Sequence, residues 1–145
     1  MCQEVKLELI FLLPIFLPLL TSIFLFLNKK LFNELVTNFF TLNGALLAFA
    51  IAAYSFITLG LDKFKPVNVE LFQWISNPDI SIGFTLDGLS GIMLILVTGL
   101  SFVIQLFSTS YMAKDENHCN YFVYFNFFVF SMLLLVMSSN FLVMF

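Results

Sequence analysis

Two long apolar runs, 89–112 and 121–137, flank a short charged island, Lys114-Asp115-Glu116-Asn117-His118. The first run contains no Asp, Glu, Lys, Arg or His. At a rise of 1.5 Å per residue, about 20 residues of helix cross a hydrocarbon core about 30 Å thick. The same design recurs upstream. Residues 9–27 are apolar apart from Thr21 and Ser22, and the predominantly apolar run 36–59 follows the break at Asn28-Lys29-Lys30 and a short amphipathic turn at 31–35 that carries Glu34. The pattern predicts transmembrane helices at about 9–27, 36–59, 89–112 and 121–137, with the charged positions as joints.

Between the second and third helices the hydrophobic period changes to two. Val67, Val69 and Leu71 alternate with Asn68 and Glu70; Ile80, Ile82, Phe84 and Leu86 alternate with Ser81, Gly83 and Thr85. Period-two patterning around Asn77-Pro78-Asp79 predicts a β-hairpin over about 67–86. The phase slips at Phe72, which predicts a bulge there. Trp74 reads as an interfacial anchor, and the hairpin is expected outside the membrane, over the helix ends. After the fourth helix, Ser138-Ser139-Asn140 forms a turn and a further apolar run begins at 141. The expected fold is therefore an all-α integral membrane protein, a single membrane domain over 1–145. It has four transmembrane helices, the start of a fifth, and an extramembrane hairpin between helices 2 and 3. A chain that stops inside an incipient helix reads as a truncated or split polypeptide.

Several positions inside these elements carry their own expectations. Pro14 and Pro18 lie one turn apart, each removes a backbone donor, and the first helix should bend there. Gly44, Ala48 and Ala52 recur every fourth residue with Ser55 close to the same line, a small-residue stripe suited to close helix packing. Asp87 precedes the third helix, where it can cap the amides of Leu89 or Ser90 and complement the helix dipole. The other use of a carboxylate there is as a proton or ion gate. Thr98, Ser101, Gln105 and Ser108 fall on one helical face, which should turn toward protein rather than lipid. Asn126 is the one strongly polar residue of the fourth helix.

Composition agrees with a membrane environment. Of the 145 residues, 61% are hydrophobic and 10% charged, whereas a water-soluble domain carries about 25% charged residues. All six basic residues are lysines and form no patch, so nucleic acid is not an expected partner. With four crossings the lysines divide evenly between the two sides, so the positive-inside rule assigns no orientation. Cys2 and Cys119 have no second cysteine at ligand spacing, and His118 is the only histidine. A metal or redox site at His118-Cys119 beside Asp115 and Glu116 would need more ligands at set spacings, so this run reads as a wet loop between helices. Glu4, Lys6 and Glu8 mix signs before the first apolar run, and no small-residue cleavage site follows it, so the first helix is expected to be retained.

Leu86-Asp87-Gly88-Leu89-Ser90, then Leu106-Phe107-Ser108 and Tyr111-Met112, form an ordered series with Asp115-Glu116, Phe122, Tyr124, Phe130-Ser131-Met132-Leu133 and Asn140-Phe141-Leu142. In order and spacing the series resembles the amino-terminal part of the chain 5 (L) subunit of proton-pumping NADH–quinone oxidoreductase, respiratory complex I. The resemblance implies a membrane-arm subunit of a complex that couples electron transfer from NADH to quinone to proton translocation. Its implied partners are the lipid bilayer, other membrane-arm subunits and the remainder of chain 5. Its implied location is a bacterial inner membrane or the mitochondrial inner membrane, and it puts Cys2 and the hairpin on the periplasmic or intermembrane side. The chain departs from the family at two positions: Asn120 stands where relatives usually have a basic residue, and Gln105 where they often have histidine. The family's key glutamate, in a Trp-Glu-Gly motif, lies just past Phe145. No motif here matches a family catalytic position, so no catalytic, cofactor-binding or metal-binding residue is assigned and no cofactor is expected. The other readings are the large subunit of a sodium/proton antiporter complex, similar in this region, and an inactive membrane scaffold fragment.

Overall fold

The computed structural model describes residues 2–29, 33–61, 67–76, 79–113, 115 and 117–138, with side chains described at 12–29, 33–58, 84–85, 87–113, 115 and 117–138. The expected turn at Asn77-Pro78, the Trp74 anchor and the fifth helix from 141 lie outside these. The order of elements is α1 (Cys2–Asn28), α2 (Glu34–Leu61), β1 (Val67–Ser76), β2 (Asp79–Leu86), α3 (Gly88–Tyr111) and α4 (His118–Met137). Among the described residues three stretches are long and apolar enough to cross a membrane, Glu34–Thr58, Gly88–Tyr111 and His118–Met137, and Leu12–Asn28 is a shorter apolar helix. α1 runs unbroken through Pro14 and Pro18.

The helices close on one another in a ring. α2 packs most extensively on α3, α4 on α1, and α1 on α2, while α3 and α4 meet more lightly. Ile15, Ala52, Leu94, Val97, Val129, Leu133 and Met137 form one apolar cluster with Phe84 from β2. Leu25, Phe122 and Val123 form a second, toward the other end. The outside is as apolar as the inside: Phe107 is 72% exposed, two positions from Gln105 at 1%. A helix that is polar within and apolar without has lipid as its solvent. The chain is a helical membrane protein.

The small-residue stripe of α2 is buried where the sequence placed it: Ala48 and Ala52 are 2% and 0% exposed, Ser55 is 0%, and Gly44 is also buried. A side-chain carbon on Gly44 would sit 2.5 Å from Thr21 Cγ2, so the α1–α2 crossing depends on glycine. Thr21 has little room to yield, because its hydroxyl donates to the Pro18 carbonyl at 2.8 Å. At Gly99 the added carbon would meet the edge of the Phe49 ring at 3.0 Å, a milder conflict.

β1 and β2 pair antiparallel from Val67 opposite Leu86 to Ser76 opposite Asp79. Two register shifts, between Glu70 and Phe72 and between Gln73 and Ile75, bracket the single slip expected at Phe72. Phe84 also forms an isolated antiparallel bridge to Ser138 at the end of α4, which ties the hairpin base to the bundle. Asp87 then caps α3: its backbone is extended, and its carboxylate accepts from the Ser90 amide at 2.7 Å. That bond, opposed by desolvation, holds the carboxyl below its ordinary value of 3.8.

Two outcomes test these contacts. Gly44→Ala should destabilise the chain by about 1–3 kcal/mol in reversible unfolding from mixed micelles, and Gly99→Ala by less. Thr21→Ala should restore much of the Gly44→Ala loss; no rescue would separate the glycine from this crossing. Asp87→Ala should cost about 0.5–2 kcal/mol, the usual range for a lost cap. A lowered carboxyl stabilises the fold above its unfolded-state value, and that contribution disappears as pH falls through the folded value. Asp87→Asn, which keeps an oxygen acceptor, should therefore lose this acid-side dependence while staying closer to wild type at neutral pH.

Candidate functional site

Among the described residues, α3 carries a buried polar seam. Thr98, Ser101, Gln105 and Ser108 are 1%, 6%, 1% and 5% exposed. Their spacing puts them on one face of the helix, and that face meets protein. The two upper hydroxyls satisfy themselves locally: Thr98 donates to the Leu94 carbonyl at 2.7 Å and Ser101 to the Thr98 carbonyl at 2.8 Å. Only the lower pair reaches another helix. Gln105 Nε2 donates to Asn126 Oδ1 at 3.1 Å, and Asn126 Nδ2 donates to the Phe122 carbonyl at 2.9 Å. Ser108 and Tyr121 share a hydroxyl–hydroxyl bond of 3.0 Å. On the other side of α4, the Ser22 hydroxyl of α1 donates to the Val123 carbonyl at 2.8 Å.

Below the seam lies a group that the sequence reading misplaced. His118 was expected in a wet loop; it is the first residue of α4 and only 3% exposed. α4 begins earlier than the apolar run because Asp115 folds the connection into a turn. Its carboxylate accepts from the Asn117 amide at 2.7 Å, and its carbonyl accepts from the His118 amide at 3.1 Å. The imidazole is thereby directed inward. Nδ1 lies 2.9 Å from the Met112 carbonyl, Nε2 lies 2.6 Å from the side-chain amide of Asn38 on α2, and the ring meets Phe122 edge-on at 5.0 Å. Nothing in the local sequence names Asn38, 80 positions away, as the partner; the only available signal was a lone histidine beside a membrane helix. Cys119 is half-buried beside the Leu25 carbonyl. Among the described residues no group of three or more His, Cys, Asp or Glu could hold a metal ion.

Known proteins give this arrangement its context. The family model described as NADH-ubiquinone oxidoreductase (complex I), chain 5 N-terminus, matches residues 72–122, which cover most of the hairpin, the Asp87 cap, all of α3 and the start of α4. The chain is 34% identical over 139 residues to NADH-quinone oxidoreductase subunit L of Escherichia coli (strain K12), which takes in 92% of this chain and 22% of that one. It is 35% identical over 141 residues to NADH-ubiquinone oxidoreductase chain 5 of Trichophyton rubrum, covering 93% and 21% respectively. The chain is similar to the amino-terminal part of NADH–quinone oxidoreductase chain 5. It spans about a fifth of the length of these curated relatives. Its fold is shared with a chain in the structure of the membrane-bound sulfane sulfur reductase, an archaeal respiratory membrane complex, at a TM-score of 0.80 and 20% identity over 94% of this chain and 27% of that one.

In this chain-5-like segment the seam holds helices together and carries no charge. Among the described residues, two buried polar atoms have no hydrogen-bond partner, Thr37 Oγ1 and Gln105 Oε1. An unmatched buried acceptor costs about 1–3 kcal/mol, whereas interhelical bonds in membranes return about 0.6 kcal/mol on average. The two halves of the amide pair are therefore unequal. Asn126→Leu strands the whole Gln105 amide and should cost about 1–3 kcal/mol. Gln105→Leu removes one unmatched oxygen with the bond and leaves Asn126 Oδ1 unmatched in its place, so the number of unmatched acceptors is unchanged and the cost should be less than about 1 kcal/mol. Unfolding titrations that reverse this order would place the energetic weight on Gln105.

Proposed function

We propose that the chain is the amino-terminal membrane segment of a chain 5 (L) subunit in the membrane arm of an NADH–quinone oxidoreductase. It crosses the bilayer four times, with the hairpin and Cys2 together on the periplasmic or intermembrane side and the α3–α4 connection on the other. Its partners are lipid, neighbouring membrane-arm subunits and the rest of chain 5. The membrane is a bacterial or mitochondrial inner membrane. The observation that carries this reading is the match over residues 72–122, which takes in most of the hairpin, the Asp87 cap and all of α3.

The role of this segment is positional. Among the described residues of its helices, the buried polar groups are hydroxyls and amides, apart from His118 at the very start of α4. Hydroxyls and amides bond water and one another but do not exchange protons readily near neutral pH, and a bare charge at the bilayer centre costs several kcal/mol. The segment supplies a rigid bundle against which the proton-carrying parts of the subunit work. Electron transfer from NADH to quinone, and the pumping coupled to it, belong to the assembled complex.

Two measurements test this. With Cys119→Ser in the background, an impermeant thiol reagent should label Cys2 from one side of oriented vesicles and Asp115→Cys only from the other. Labelling of both from the same side would remove a crossing. In liposomes, the purified chain should leave an imposed pH gradient standing as long as empty vesicles do; a leak abolished by Asp87→Asn or Gln105→Leu would mean that a conducting path runs through the segment.

A further inference from the structure

The buried imidazole of His118 has hydrogen-bonding capacity that the packing role leaves unused. Its Nδ1 stands 2.9 Å from the Met112 carbonyl oxygen, and a carbonyl can only accept. Nδ1 therefore carries a hydrogen in every protonation state that keeps this bond. Its Nε2 stands 2.6 Å from the Asn38 amide. A primary amide is both donor and acceptor. With Oδ1 toward the ring, Asn38 accepts from the imidazolium; turned by half a rotation, it presents an N–H to the bare Nε2 of the neutral ring. Only a partner that both donates and accepts allows this. A carboxylate would hold the ring charged, and a second carbonyl would leave the bare nitrogen of the neutral form facing an acceptor.

We infer that His118 is a proton-binding site at the end of the bundle away from the hairpin, with Asn38 as the amide that turns over to hold the ring in one place with and without its second proton. The proton comes from, and returns to, water at that end, where Asp115 and Asn117 are exposed and Asn38 is half-buried. No bond other than hydrogen bonds is made or broken.

Among the described residues, the ring has no ionised side chain as a hydrogen-bond partner. On α2, Glu34 is exposed one turn before Asn38. Just past α1, Lys29 Nζ lies over the Phe26 ring at 5.3 Å. In the connection, the Asp115 carboxylate is taken by the Asn117 amide. On α4, the Cys119 thiol points to the Leu25 carbonyl and the Tyr121 hydroxyl to Ser108; Tyr111, at the end of α3, is exposed and stacked on Phe107. The positive N-terminal end of α4 opposes a charge on the ring. The two acceptors oppose it in turn, because bonds from an ionised donor are roughly twice as strong as neutral ones.

The chain has one histidine, so 15N-histidine labelling of the whole chain in lipid nanodiscs reads this site alone. In the neutral form the ring should carry its hydrogen on Nδ1, since the tautomer is set by the bond that nitrogen makes. Acidification should protonate Nε2 while the Nδ1 signal stays of the N–H type. At one fixed pH, Asn38→Asp should increase the doubly protonated fraction and Asn38→Leu should decrease it, with Gln105→Leu unchanged. A neutral ring protonated on Nε2, no second protonation of the ring at any pH that leaves the chain folded, or equal fractions in wild type and Asn38→Asp would each overturn the inference. The wild-type acidification series, which reads the tautomer and the second protonation together, decides the matter even where a variant fails to fold.

Discussion

Hydrocarbon offers no hydrogen-bond partners, and this constraint governs both the backbone and the side chains of the chain. The backbone answers with helices. The side chains answer in two ways. Thr41, Ser55, Thr98 and Ser101 fold back on carbonyls of their own helices, so they can be buried anywhere without choosing a neighbour. Ser22, Gln105, Ser108 and His118 reach other elements, and each of these contacts involves α4 or its entry. α4 is thus the helix to which the others are fastened, through Val123, Asn126, Tyr121 and His118 in turn.

Apolar burial alone would not hold such a bundle, because lipid tails solvate Leu and Phe as well as another helix does. Close approach must do much of the work. Gly44 against Thr21 and Gly99 against Phe49 let α2 meet α1 and α3 at short range. Between α3 and α4, where contact is lighter, the amide pair and the Ser108–Tyr121 bond compensate. Apart from His118, the buried polar groups among the described residues are hydroxyls and amides. Asp87 and His118 stand at helix ends, the first as the cap of α3 and the second opening α4.

Much of this was legible in the sequence because it is local or periodic. The apolar runs, the period-two strands, the stripe from Gly44 to Ser55, the inward face from Thr98 to Ser108 and the Asp87 cap all follow from spacing along one element. What depended on pairing between elements was not legible. Nothing near His118 points to Asn38, and the polar run Asn117-His118-Cys119-Asn120 hides the first turn of α4, so a buried histidine was read as part of a wet loop. The second register shift of the hairpin escaped for a related reason: two irregularities in quick succession restore the alternation, and only one slip shows.

The most direct test of the account is whether α1 and α4 are fastened as described while the chain is in a membrane. In a background with Cys2→Ser and Cys119→Ser, Ser22→Cys with Val123→Cys should cross-link readily with a short thiol-bridging reagent. Leu20→Cys with Tyr124→Cys, on faces 61% and 71% exposed to lipid, should not. Efficient bridging of the first pair alone is the expected result; equal yields from the two pairs, or none from the first, would contradict a bundle fastened to α4 by its buried polar contacts.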